Sequence, residues 1–365
     1  MQLSVIILNY NVRYFLELCL KSVQNAIADL EAEIIVVDNQ SLDDSCEMVK
    51  TLFPKVILIE NKENYGFSKG NNLGVLKAKG DYVCILNPDT VVAEDTFRIL
   101  LDFANSTSNL GIVGCKLIDG TGRFLPESKR NVPTPLISIR KILGDSTSYY
   151  ANEIQENEIG SVPIFVGAFM LLKRSIYDEV GGFDEDFFMY GEDIDFSYRV
   201  SKAGYQNYYN PTTTIIHFKG ESTLKDKMYA KRFYEAMQIF FKKHYHPNFV
   251  YHAMVWIGLK LITMFNPEPK QEEIVVKRFV FMGTILDKSL KDRLNNEIAI
   301  YTENRQLNDQ SQVIFDNESI SFKSIIDFMV QSSKKSQLTF KIRPKNARFI
   351  VGSNSSKGRG EVIQF

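Results

Sequence analysis

What this chain lacks narrows its function first. Its 43 basic and 44 acidic residues leave a formal net charge of −1, so there is no overall positive field to hold a phosphate backbone, and no nucleic acid is expected as a partner. The four cysteines, Cys19, Cys46, Cys84 and Cys115, form no CxxC pair, and Cys84 falls inside an apolar strand; a reduced, cytoplasmic protein is expected. No charged n-region or cleavage site precedes the strand-like residues 3–8, so no secretory signal is expected. Residues 249–265 are apolar but interrupted by His252 and Lys260, which makes the stretch too short and too polar for a membrane span. It reads as a packed helix or as one lying in the membrane interface. Glycine-rich phosphate loops are missing too: neither Phe281-Met282-Gly283-Thr284 nor residues 352–360 carry the glycines that such a loop needs.

What is present is a chain of 365 residues, 44% of them hydrophobic, enough for one large domain and a smaller one. The first third alternates β-branched runs with helical patterns, the mark of βαβ units in a mostly parallel sheet. Strands are expected over 3–8, 33–37, 56–60 and 81–86, with helices over 14–27, from Ser41-Leu42-Asp43-Asp44 to Leu52, and over 67–79. Residues 130–162, with Pro133, Pro135 and a polar stretch, read as a flap or an acceptor-side excursion. A buried strand over 164–172, a helix over 192–202, a strand over 213–218 and an amphipathic helix over 229–243 follow. After Asn266-Pro267-Glu268-Pro269 the character shifts to short strands around one helix. The expected organisation is α/β: a nucleotide-binding catalytic domain over 1–245, an amphipathic helical linker over 246–275 and a small α/β domain over 276–365.

The most informative residues are Asn87-Pro88-Asp89, directly after the apolar strand Tyr82-Val83-Cys84-Ile85-Leu86. Ligands of open α/β sheets gather at the carboxyl ends of strands, and a carboxylate there suits Mg²⁺ or Mn²⁺ bridging two phosphates. Asn-Pro-Asp alone also makes an ordinary turn. Far downstream stands a second acidic cluster, Gly191-Glu192-Asp193-Ile194-Asp195. A sugar transferase needs both features: counter-charge for a leaving diphosphate and a base for the acceptor hydroxyl.

Six segments carry a resemblance: residues 4–11 (Ser-Val-Ile-Ile-Leu-Asn-Tyr-Asn), Val36-Val37-Asp38-Asn39-Gln40-Ser41, residues 64–72 beginning Asn64-Tyr65-Gly66, Leu86-Asn87-Pro88-Asp89-Thr90, Gly181-Gly182-Phe183-Asp184-Glu185 and Gly191 to Asp195. In this order the first two thirds of the chain resemble the family 2 glycosyltransferases of the GT-A fold, in their rhamnosyltransferase-like branch. The resemblance implies an inverting transfer from a nucleoside-diphosphate sugar to a glycan or lipid-linked acceptor in cell-envelope polysaccharide synthesis. It implies nucleotide and donor contacts from Asn9, Tyr10, Asn11, Asp38, Asn64, Gly66, Asn71 and Asn87. Asp89 would be the last acid of the family's DxD motif, with Asn87 in place of the first, and His217 would complete the metal site. Asp193 would be the general base, with Glu192 secondary, and Asp195 a partner for Arg199. A lipid-linked acceptor adds an expected peripheral contact at the inner face of the cytoplasmic membrane. The C-terminal domain more faintly resembles Rossmann-like segments of bacterial polysaccharide-biosynthesis proteins, and no catalytic residue is assigned there. Two other readings stay open: a nucleotidyltransferase, although the glycine-rich arginine loop of that class is absent after the first strand, and a non-catalytic nucleotide-sugar-binding or scaffold protein on the same fold.

Overall fold

A computed structural model of the chain describes residues 1–142, 145–219, 227–245, 276–294, 298–301, 307, 310–333, 338–354 and 359–365. The linker expected over 246–275, with its apolar stretch 249–265, lies outside the described residues. The first sheet is built from β1 (Leu3–Asn9), β2 (Ala32–Asp38), β3 (Ile57–Glu60), β4 (Tyr82–Leu86), β5 (Thr90–Val91), β6 (Leu110–Ile118), β7 (Gly160–Ser161), β8 (Phe169–Lys173) and β9 (Gln206–His217). Its order is β3-β2-β1-β4-β8-β6-β9-β5, with β7 on β9. The β3-β2-β1-β4 half is parallel, β8 is antiparallel to both its neighbours, and β6 and β9 run parallel. Helices α1 (Arg13–Ala26), α2 (Ser45–Leu52), α3 (Gly66–Val75), α4 (Thr96–Ser106), α5 (Pro135–Ile142), α6 (Arg174–Glu179), α7 (Glu192–Lys202) and α8 (Lys227–His244) flank it. This is the mostly parallel α/β architecture that the alternating pattern requires.

The near-continuous apolar strands are buried on both faces because helices cover both. Val5, Ile7, Val36, Cys84 and Leu171 pack on one side with α1 and α4, and Ile6, Ile35, Val83, Ile85 and Met170 on the other. All four cysteines are free, three of them buried. Asp43, not Asp44, serves the start of α2, its carboxylate accepting from Ser45 N at 3.1 Å.

Two expectations change. The strand expected over 164–172 is broken: only Phe169–Lys173 joins the sheet. The β4–β8 ladder runs on as far as the bond from Asn87 N to Ala168 O at 3.0 Å, and at the next residue Gly167 N donates instead to the Asp193 carboxylate at 3.1 Å. Backbone polar groups spent on the site cannot also build a ladder. The nine-residue β6, buried throughout, was not anticipated, since two glycines and Lys116 dilute its apolar pattern; Lys116 is held by Asn157 at 2.9 Å and by Glu156.

A second sheet holds β10 (Arg278–Met282), β11 (Ile298–Ile300), β12 (Ser311–Asp316), β13 (Thr339–Arg343), β14 (Phe349–Gly352) and β15 (Glu361–Gln364), in the order β11-β10-β12-β13-β14-β15. Helices α9 (Lys288–Arg293) and α10 (Phe322–Ser332) accompany it. Its α10 faces the first sheet within one shared apolar cluster.

Gly66, at the mouth of α3, has φ +78°, and a Cβ there would lie 2.3 Å from Phe188 O, the atom that accepts from Phe67 N at 2.7 Å. Gly66→Ala combines a left-handed backbone with a backbone clash, so it should lower unfolding free energy by about 1–3 kcal/mol. Urea denaturation measures it; an unchanged midpoint would mean that the 188 loop yields freely.

Candidate active site

The carboxyl ends of β1, β2 and β4, the turn at Gly167 and the start of α7 surround one cavity of about 420 Å³. Of the residues expected in a site, Tyr10, Asn64, Gly66, Asn87, Asp89, Glu192, Asp193 and His217 line it. Asn9, Asp38 and Asn71 do not. Asn9 and Asp38 lie beneath the floor, joined by a 2.7 Å hydrogen bond from the Asn9 amide, and Asp38 also accepts from Ser41 N at 2.8 Å. Asn71 is fully buried within α3 and gives its amide to Phe67 O at 2.9 Å. Asn11 shapes the adjoining turn, accepting from Leu42 N at 2.6 Å with a left-handed φ of 54°. None of these four lines the cavity; their side chains hold together the turns and the helix beside it.

At one end stand Asp89 and His217. The chain leaves β4 through Asn87-Pro88, and β5 then pairs antiparallel with the end of β9, Thr90 opposite His217 and Val91 opposite Ile216. Phe218 N closes the ladder on Asp89 O at 3.0 Å. His217 Nε2 consequently lies 3.5 Å from Asp89 Oδ1 and 3.4 Å from the Asn87 amide nitrogen. Asp89 is 4% and His217 6% exposed, yet Asp89 Oδ1 and His217 Nδ1 have no hydrogen-bond partner. Buried polar atoms are nearly always satisfied, so a pair left open at a strand exit marks a place for an outside group. Among the described residues no three His, Cys, Asp or Glu side chains converge as a metal cage. One carboxylate and one imidazole instead fit a Mg²⁺ or Mn²⁺ ion that draws its remaining oxygens from a diphosphate and water. Lys219, lining the same end, pairs with Glu127.

The other end is built by α7 and the 124–164 excursion. Gly191 (φ +79°) turns the chain into the helix. Asp193 Oδ2 accepts from Arg130 at 2.6 Å and from Gly167 N, while Oδ1 accepts from Ile194 N at 2.8 Å. Arg130 also donates to Phe165 O and approaches the Tyr149 hydroxyl at 3.5 Å. Burial opposes the guanidinium charge, but Asp193 and Tyr149 outweigh it and hold the pKa above the ordinary arginine value. The Lys141 ammonium sits 3.1 Å from the centre of the Tyr149 ring, and burial lowers its pKa. Glu192 is different. Burial, then the neighbouring Asp193 charge, drives its pKa well above 4.5, and its Oε2 has no hydrogen-bond partner. Two adjacent carboxyls are thereby split, one facing a cation and one favoured neutral. Asp195 pairs with Arg199 at 2.7 Å as its spacing foretold, and also meets His244 at 2.7 Å, which ties α8 to α7.

Sequence reasoning missed Arg130, Lys141 and Tyr149. Their only signal was cationic and aromatic residues inside a proline-containing excursion, and nothing in spacing links them to Asp193, 63 positions away.

Residues 4–181 match the family model of glycosyl transferase family 2. Over 242 residues the chain is 29% identical to the N-acetylglucosaminyl-diphospho-decaprenol L-rhamnosyltransferase of Mycobacterium tuberculosis, covering 61% of this chain and 78% of that protein. It is 29% identical over 169 residues to the rhamnosyltransferase WbbL of Escherichia coli, covering 42% of this chain and 61% of that one. Among solved structures, the mannosyltransferase PcManGT from Pyrobaculum calidifontis, in complex with GDP-Man and Mn²⁺, overlays with a TM-score of 0.48 at 19% identity, over 73% of this chain and 76% of that chain.

The raised Glu192 pKa has a sign that can be tested. A carboxyl whose folded pKa exceeds its unfolded value leaves stability intact below the unfolded pKa and erodes it as pH climbs toward the folded one. Glu192→Gln removes that erosion. Relative to wild type, the variant should gain stability progressively as pH rises from about 4.3, read from urea midpoints across pH 4–8. A pH-independent difference would mean that Glu192 is ionised in the fold.

Proposed function

We propose that this chain, a glycosyltransferase of the rhamnosyltransferase-like branch of family 2, moves a sugar from a nucleoside-diphosphate donor to a hydroxyl of a glycan or lipid-linked acceptor, with inversion at the anomeric carbon. The family match over 4–181 and the two rhamnosyltransferase relatives, one of them named for the lipid-linked N-acetylglucosaminyl-diphospho-decaprenol, support the activity. The observation that carries the mechanism is the open Asp89–His217 pair at the exit of β4.

In this reading Asp89 and His217 would hold a divalent ion, and the imidazole in the donor set would favour Mn²⁺ over the harder Mg²⁺. The ion, when bound, supplies counter-charge to the diphosphate as it leaves. Asn87 orients His217, and Lys219 adds a cation at the same end. Tyr10, Asn64 and Gly66 shape the donor wall, while Asn9, Asp38, Asn11 and Asn71 fix the loops that carry it. Asp193 accepts the proton of the attacking hydroxyl: Oδ1 keeps a lone pair beyond its bond to Ile194 N, whereas burial and the Asp193 charge raise the pKa of Glu192, whose Oε2 has no hydrogen-bond partner. Arg130 keeps Asp193 oriented.

Three expected outcomes test this. Melting temperature should rise for a nucleoside diphosphate or its sugar in the presence of Mn²⁺ and much less without it; equal shifts in both conditions remove the metal. Asp89→Ala should lose on the order of 3 kcal/mol in barrier, a hundredfold or more in turnover. Asp193→Asn should lower turnover by about 10²–10⁴-fold with donor affinity nearly unchanged, and Glu192→Gln should do less. If Glu192→Gln alone is inactive, the base is Glu192. If the protein binds nucleotide sugar and the wild type shows no turnover, it is a binding protein; turnover that neither substitution lowers means that the base is neither carboxyl.

A further inference from the structure

The two residues of the open pair share an unusual backing. Their neighbours Val91, Ile216 and Phe218 point away from the cavity into an apolar cluster, and the other side of that cluster is α10, through Phe322, Ile325 and Met329. The ladder that sets the Asp89–His217 spacing is only two residues wide, too short to be stable alone. Five residues beyond Asp89, Glu94 reaches the amino end of α10: its two carboxylate oxygens accept from Phe322 N at 2.7 Å and Lys323 N at 2.8 Å. A carboxylate at a helix amino end satisfies orphan N–H groups and meets the positive end of the dipole. Here the carboxylate belongs to the first sheet's unit and the helix to the second.

We propose that the C-terminal α/β unit is a brace for the metal pair, and that Glu94 is its positioning residue, clamping α10 against β5 and the end of β9 so that Asp89 and His217 keep their spacing. The inference rests on the metal reading above for its purpose, but the mechanical part stands on the packing alone. It assigns the unit a role that needs no chemistry of its own. Without the clamp, α10 slides, Val91 and Ile216 lose their cover, and β5 frays; Asp89 then samples positions from which it cannot share an ion with His217.

Glu94→Ala is compared with Glu94→Gln, which keeps one acceptor oxygen, and with Lys323→Ala, which removes only the exposed ion pair to Asp95 at 3.2 Å. Hydrogen exchange without metal is read by mass spectrometry on peptides covering 88–93 and 214–219. Binding of Mn²⁺ alone is read from the free-ion paramagnetic resonance signal. In Glu94→Ala both peptides should exchange on the order of tenfold faster while β1 and β2 peptides do not change, and Mn²⁺ should bind several-fold more weakly; Glu94→Gln should fall between and Lys323→Ala should match wild type. Unchanged exchange in the two peptides overturns the brace, and so does faster exchange with undiminished Mn²⁺ binding. If Glu94→Ala does not fold, Ile325→Val, one methylene smaller on the packed face, is read by the same two measurements against the same outcomes. A wild type that binds no Mn²⁺ removes the metal reading, and the exchange measurement then decides the brace by itself.

Discussion

A buried cation has to be answered by a buried anion, and the pairing of Arg130 with Asp193 organises half of the cavity. Leaving either partner alone in this setting costs about 3–5 kcal/mol, so the two are fixed together. Arg130 comes from the excursion after β6, so the ion pair pins that long connection to α7. Asp193 also takes the Gly167 amide, which is why the apolar run before β8 leaves the sheet early and turns its backbone into the cavity. Glu192, one position away, is held above the ordinary carboxyl pKa by burial first and then by the Asp193 charge, and the Arg130 guanidinium only partly offsets them.

The opposite end follows the reverse logic. Asp89 Oδ1 and His217 Nδ1 have no hydrogen-bond partner, and unsatisfied buried polar atoms cost about 1–3 kcal/mol each. Such an arrangement persists only where the surroundings over-determine it. The apolar cluster shared with α10 supplies that determination, since burying even one Phe or Ile side chain contributes about 1.5–3 kcal/mol. The stability of the second sheet's unit and the openness of the pair are two sides of one arrangement: apolar contacts behind β5 and β9 hold polar atoms in front of them in readiness.

Much of this was legible from residue order. The strands β1 and β2 announce themselves as β-branched runs ending in Asn9 and Asp38, β4 as the apolar run that Asn87 follows, and α7 begins at Glu192 as the acidic cluster indicated. Local signals have local reach, and that explains the remainder. Asn9 and Asp38, expected as ligand contacts, bond to each other and do not line the cavity, and Asn71 bonds within α3, because side-chain direction is decided by tertiary packing and not by motif membership. Arg130 and Glu94 escaped notice for the same reason. Each matters through a partner more than sixty positions away, 228 in the case of Glu94 and Phe322.

The amino end of α7 decides between its two leading carboxyls by magnitude. A helix dipole favours a nearby anion by about 0.3–1 kcal/mol, up to about 2 when partly buried, and both Glu192 and Asp193 stand within that first turn. The pKa of Glu192 is raised despite the dipole, so burial wins there. Asp193 instead accepts hydrogen bonds from the Arg130 guanidinium and the Gly167 and Ile194 amides. It is the carboxyl with the most donors, fixed in direction by three of them. In the proposed reaction a proton acceptor has to be correctly aimed before the hydroxyl arrives, since reorganising it during the reaction would add to the barrier. The helix start, the guanidinium and the broken strand together fix the direction of the Asp193 carboxylate, which is the condition the proposed base would need.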